Sequence, residues 1–170
     1  VTEGQEWMPQ TGKQENTIQF NYFRDSELIN TKYRDGAKNF KLVKDAELIF
    51  YNIDSIKDGE TCIITEGEID CLSWIEAGIT NVISVPNGAG KGQKLEYLDN
   101  CFGYFDNKTK IYLSTDNDEP GRLLRDELAR RLGIERCYKI DFGELKDANE
   151  YLIYHGSEKL KCLLETATEF

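Results

Sequence analysis

The chain has 170 residues, enough for one domain or one domain with a small appendage, and a chain of this length buries roughly 70% of its unfolded surface. Hydrophobic residues make up 39%, charged residues 31%, and the formal net charge is −10, which argues against a nucleic-acid binder that works through overall charge. The cysteines (Cys62, Cys71, Cys101, Cys137, Cys162) never stand as C-x-x-C, which fits reduced thiols rather than a disulfide framework or a zinc knuckle.

Residues 1–16 show no periodicity and are expected to be loose. "TIQFNYFR" alternates Ile18, Phe20 and Tyr22 with polar Gln19 and Asn21, "DSE" is a turn, and "LINTKYR" returns, so residues 17–34 read as a hairpin. "KNFKLVKDAELIFYNID" is apolar enough for a further strand or short helix, and "IKDGE" at 56–60 is a junction. Charge is uneven along this part. Residues 30–44 hold Lys32, Arg34, Lys38, Lys41 and Lys44 against the single acid Asp35, and "PNGAGKGQK" adds Lys91 and Lys94. Such a strip can hold a phosphate backbone or be a solvated face.

From residue 61 strands alternate with helices. "TCIIT" reads as a buried strand, followed by a helix with Ile69, Leu72 and Ile75 at helical spacing and Gly78 as its stop. "NVISVP", "TKIYLST" and "ERCYKID" read as three more strands. "GQKLEYLDNCF", "PGRLLRDELARRLG" and "DANEYLIYHG" read as helices, the second with the stripe Leu124, Leu128, Leu132 and a stop at Gly133. This order predicts an α/β fold, a mainly parallel four-stranded sheet flanked by helices, with a small N-terminal β-rich subdomain. The expected division is 1–58 for the subdomain, 59–156 for the α/β domain and 157–170 for a C-terminal helical extension.

In such sheets ligands bind beyond the carboxyl ends of the strands. Those ends carry Glu66 in "TEGEID", the loop "PNGAGKG", then Asp116 and Asp118 in "STDNDEPG", then Lys146 and Asp147 in "KDAN". Carboxylate oxygens suit hard cations, above all magnesium. Each acid also has a plainer role open to it: Asp118 can cap the helix that follows, and Glu66 and Asp70 can be acids at a helix start. A phosphate loop is excluded because Val85 and Gly92 stand where Gly and Ser or Thr are needed. A calcium loop over 116–127 is excluded because Pro120 sits at its fifth position, where a side-chain oxygen is needed, and a strand precedes it.

A strand ending in Glu-Gly followed by a strand ending in Asp-x-Asp-x-x-Gly resembles the Toprim domain, shared by DnaG-type primases, topoisomerases and certain nucleases. In series, "TKYRDGAKNF", "TEGEIDCLS", "STDNDEPGR" and "KDANEYL" resemble the fused primase-helicases of phages and their Twinkle relatives. The resemblance implies a DNA primase catalytic core, a nucleotidyltransferase that makes RNA primers. It implies Glu66, Asp116 and Asp118 as catalytic, metal-binding acids, with Asp70 and Asp147 as secondary acids. Lys32, Arg34, Lys38 and Lys91 would hold phosphates of nucleotide or template. The implied cofactor is Mg2+, two ions, replaceable by Mn2+, with no zinc in this segment. The implied partners are a single-stranded DNA template, ribonucleoside triphosphates and a fused or associated hexameric helicase, with no membrane and a cytoplasmic setting in a bacterium or phage-infected cell. The alternatives are a Toprim metal-dependent nuclease or topoisomerase-like enzyme, and a non-catalytic single-strand-binding module of a helicase.

Overall fold

A computed structural model describes residues 1–88 and 95–170. Its N-terminal sheet has four antiparallel strands in the order β1 (Thr2–Met8), β2 (Lys13–Arg24), β3 (Glu27–Asp35), β4 (Phe40–Leu42). β2 and β3 form the expected hairpin, turned by Asp25 and Ser26, both at positive φ. Residues 1–16 are not loose, which corrects the expectation: β1 pairs with β2 from Thr2 opposite Gln19 to Met8 opposite Lys13. The strand escapes a periodicity reading because its alternate faces carry Glu3 and Gln5, or Thr2, Gly4 and Glu6, with only Trp7 and Met8 apolar. It is an edge strand held by its backbone ladder rather than by an apolar face.

The second sheet is ordered β6 (Val82–Ser84), β5 (Thr61–Thr65), β7 (Lys110–Ser114), β8 (Cys137–Lys139), β9 (Thr168–Glu169). The first four strands are parallel, as expected, and the short β9 adds an antiparallel edge. The helices are α1 (Glu68–Glu76), α2 (Glu96–Asn100), α3 (Glu119–Leu132), α4 (Ala148–His155) and α5 (Ser157–Thr166). From β5 the chain crosses to β6 on one side, then jumps past β5 to β7 and continues to β8. The order therefore reverses between β5 and β7, and the crevice at such a switch point is where an open α/β sheet binds ligand.

Helix ends follow local chemistry. α3 starts at Asp118, whose Oδ1 accepts the Gly121 N–H at 2.8 Å, with Pro120 in the first turn. It ends with Arg130 and Arg131 in the last turn and Gly133 at φ 102°. Leu124, Leu128 and Leu132 form the buried stripe that the spacing predicts. α4 starts at Asp147, whose Oδ1 accepts the Glu150 N–H at 2.8 Å. In α1 the deepest side chains are Cys71 and Trp74, while Ile69, Leu72 and Ile75 pack at the margin of the core. The Trp74 indole N–H donates to Ser114 Oγ at 3.0 Å, tying α1 to β7.

One core runs through both sheets. The connecting segment places Ile49, Phe50, Ile53 and Ile56 at 0% exposure, the last two in a short 3-10 helix. Tyr51 bridges to Ser84 on the β6 edge, while its ring meets Phe20 and Tyr22 edge-on at 6.1 and 5.4 Å. Each fully buried large apolar side chain contributes about 1.5–3 kcal/mol, so this segment fixes the N-terminal sheet against the parallel one.

Candidate active site

Glu66 directly follows β5 and Asp116 follows β7 by two residues, so both acids stand at the switch point. They touch: the Asp116 backbone N–H donates to Glu66 Oε2 at 3.3 Å. Two further acids arrive from helix starts rather than strand ends. Asp70, in the first turn of α1, accepts the Asn149 N–H of α4 at 3.0 Å. Asp147 is the α4 cap. Oxygens of Asp70, Asp116 and Asp147 lie within 4.8 Å of one another, a group able to hold a metal ion.

The acids are costly to bring together, because burial and mutual repulsion both disfavour the charged form. Burial, then the nearby Asp147 charge, pushes the Asp70 carboxyl up to about 7, while the Asn149 N–H opposes the shift. Burial also raises Asp116, opposed by a hydrogen bond from Lys146. Three features offset the repulsion. The N-termini of α1, α3 and α4 meet here, with the positive ends of their dipoles toward the acids. Lys146 Nζ stands 2.6 Å from Asp116 Oδ2 and 3.8 Å from Asp147 Oδ2. The loops are also stitched: the Asn117 N–H donates to the Lys146 carbonyl at 2.7 Å and its side-chain amide to the Gly143 carbonyl at 2.7 Å.

Gly121 explains the glycine of the "DNDEPG" stretch. A Cβ there would lie 2.2 Å from the Asp116 carbonyl oxygen, a backbone atom that cannot swing aside. Only glycine lets the first turn of α3 press against the loop that presents Asp116.

The opposite wall of the crevice belongs to the N-terminal sheet. Lys32 pairs with Phe20 and Leu42, and Arg34 with Ile18 and Phe40, so these side chains share one face. Lys32, Arg34, Phe40 and Lys41 line a crevice of about 580 Å³ together with Glu66, Asp70, Asp116, Lys146 and Asp147. That size suits a small organic ligand.

The basic strip is less free than its sequence suggests. Lys32 is not an exposed lysine: it is 9% exposed and donates to both oxygens of buried Glu68, at 2.9 and 3.0 Å. Glu68 also accepts from the Tyr22 hydroxyl, whose pKa is driven well up by burial first and by Glu68 next. Lys41 pairs with Glu6 at 2.5 Å and with the Trp7 carbonyl, and Lys44 stands 4.0 Å from Asp45. Lys38 is exposed at positive φ in a turn organised by Asp35, and it does not line the crevice. Arg34 makes no ion pair among the described residues and faces the crevice with Phe40 6.0 Å from its guanidinium carbon. Lys91 falls in 89–94, outside the described residues.

The structure therefore gathers Glu66 and Asp116 with Asp70 and Asp147, the two acids that the sequence ranks second, and gives Asp118 the capping role. Glu68 was missed as a crevice residue, and Lys146 was placed at a strand end but given no role. Glu68 had a signal in "TEGEID", as a further acid directly after the strand-end Glu-Gly.

The sequence profile described as Toprim-like matches residues 63–152, just over half of the chain, and the chain belongs to that family. Among curated proteins it is similar to two from Arabidopsis thaliana, each 38% identical over 165 residues and matching 86% of this chain. One is the Twinkle homolog protein, chloroplastic/mitochondrial, of which 23% is covered. The other is the Primase homolog protein, of which 49% is covered. The chain thus spans about half or less of these relatives. Among solved structures, the primase fragment of the bacteriophage T7 primase-helicase protein superposes with a TM-score of 0.75 at 26% identity, covering 88% of this chain and 63% of that one. The family expected from "TEGEID" and "STDNDEPG" is the family found. No helix among the described residues is long and apolar enough to cross a membrane.

Proposed function

We propose that this chain is the catalytic core of a DNA primase, joining ribonucleotides into short primers on a single-stranded DNA template. The observation that carries the proposal is one crevice with unlike walls: carboxylates of Asp70, Asp116 and Asp147 within 4.8 Å on one side, Lys32 and Arg34 on the other. Phosphoryl transfer needs positioning and charge neutralisation more than covalent chemistry from the protein. Similarity to the T7 primase fragment supports this reading over a nuclease or a passive strand-binding module.

The donor set fits a hard divalent cation, since every ligand offered is a carboxylate oxygen. We assign Asp116 as its main holder, with Glu66, Asp70 and Asp147 around it and Asp118 contributing the oxygen that does not cap α3. We assign Mg2+ as the ion, two at full occupancy and replaceable by Mn2+. When bound, it would neutralise charge on the triphosphate and the leaving pyrophosphate. Arg34 and the Lys32 ammonium edge would hold phosphate oxygens from the other wall, with Lys38 further along the template, and Lys91 stays assigned to phosphate from the sequence. A hexameric helicase, fused or associated, is the proposed partner, because the T7 relative is part of a primase-helicase protein.

The test is primer synthesis from labelled ribonucleoside triphosphates on single-stranded DNA, run on the parent protein and on this chain, beside a plasmid-nicking assay. Magnesium-dependent short RNA that Asp116→Asn abolishes supports the assignment. Plasmid nicking without RNA synthesis would replace it with a nuclease.

A further inference from the structure

Among the described residues, Lys146 is placed unlike the other crevice lysines, Lys32 and Lys41. Its structural duties belong to its backbone: the carbonyl accepts the Asn117 N–H at 2.7 Å and its N–H donates to Glu150 Oε2 at 2.6 Å. Its side chain is 58% exposed and meets two acids, Asp116 at 2.6 Å and Asp147 at 3.8 Å. Those acids are only 13% and 19% exposed, and both belong to the group able to hold a metal. The ammonium therefore occupies the space where the carboxylates converge, yet it sits on a flexible four-carbon stem open to water.

We infer that Lys146 is a resident counter-ion of the acidic group, which competes with the divalent cation for Asp116 and, once displaced, turns to the phosphates of the incoming nucleotide. The inference rests on the primase reading of the crevice and adds a positioning residue to it. Two arguments carry it. An ammonium and a dication cannot share one carboxylate oxygen at contact distance, because like charges at about 4 Å repel by several times thermal energy even near the protein surface. Lys146 must then swing out, and its Cα is fixed by the Asn117 and Glu150 bonds at the crevice rim. Asp147, already 3.8 Å away, is taken up with the same cation, and the phosphates of a triphosphate bound in the crevice would be the anions left for the ammonium. Metal entry and nucleotide capture thus become coupled, since the charge released from Asp116 is the charge offered to phosphate.

The experiment titrates Mn2+ into the wild-type chain, Lys146→Met and Lys146→Arg without nucleotide, at low ionic strength, followed by electron paramagnetic resonance of free manganese. ATP binding is then measured with manganese present. Melting temperatures confirm folding, which the backbone bonds of Lys146 preserve. Removing an exposed competitor should tighten manganese about two- to fivefold in Lys146→Met. The same variant should bind ATP more weakly by a similar factor, while Lys146→Arg stays close to wild type. Unchanged or weaker manganese binding by Lys146→Met overturns the inference, and so does tighter manganese with unchanged ATP affinity. Failure of the wild-type chain to bind manganese at all would instead bring down the metal reading on which the inference rests.

Discussion

Two lysine–carboxylate pairs face each other across the crevice, and they are built to opposite ends. In Lys32–Glu68 the side chains are 11% and 4% exposed, and the Tyr22 hydroxyl completes the carboxylate. It joins the N-terminal sheet to α1 and is matched charge for charge. In Lys146–Asp116 the lysine is 58% exposed and the surrounding acids outnumber it. A buried, fully partnered pair resists exchange, because removing one member strands the other in a dry interior. A half-exposed lysine over surplus acid is exchangeable, since water replaces it readily. The first pair positions a wall; the second leaves room for another cation.

The largest effect should come from breaking the buried pair. Glu68→Ala leaves the Lys32 ammonium and the Tyr22 hydroxyl without their acceptor and should destabilise the chain by about 3–5 kcal/mol in urea unfolding. A loss below about 1 kcal/mol would mean that Lys32 finds water instead, and the contrast between the two pairs would collapse.

The acidic side should reveal itself through pH. Asp70 holds its proton more tightly folded than unfolded, since its carboxyl is raised from 3.8 to about 7. Without divalent metal, the Asp70 contribution to stability should be greatest below the ordinary aspartate range, fall as pH rises through the window from about 4 to 7, and level off above it. The fall attributable to Asp70 is on the order of a few kcal/mol, and Asp70→Asn should remove it, as read by melting temperature across that window. A wild-type profile that matches Asp70→Asn would show that the acids are not crowded.

Gly121→Ala should cost about 1–3 kcal/mol, the usual penalty for overpacking, and should abolish primer synthesis by displacing Asp116. Retained activity would show that the close approach of α3 is not needed to present that acid. The smallest effect belongs to the exchangeable pair. Lys146→Met should change stability by less than about 1 kcal/mol, so a loss comparable to that of Glu68→Ala would make Lys146 a structural residue.

Much of this was legible because local chemistry decides it. The alternation through Ile18, Phe20 and Tyr22 marks β2, and the "TCIIT" and "TKIYLST" runs with acids just beyond them mark β5, β7 and the crevice end. The stripe from Leu124 to Leu132 and the Asp118 and Gly133 ends mark α3. What stayed hidden depends on distant partners. Lys32 and Glu68 are 36 residues apart, and nothing near Lys32 announces that its charge is already answered. Asp70 and Asp147 were named as secondary acids, but that they close on Asp116 ahead of Asp118 follows from the packing of two helix starts, which spacing along the chain does not show. β1 carries too little apolar alternation to be seen without its partner strand.

The central claim is that the carboxylates at the β5–β7 switch point hold the metal of a nucleotidyl transfer site. Anomalous diffraction from a manganese-soaked crystal tests it most directly. The account predicts a peak about 2–2.5 Å from an Asp116 oxygen, with Asp70 or Asp147 as a second ligand directly or through water. A clear manganese peak elsewhere on the chain, with this crevice empty at the same soak, would contradict it.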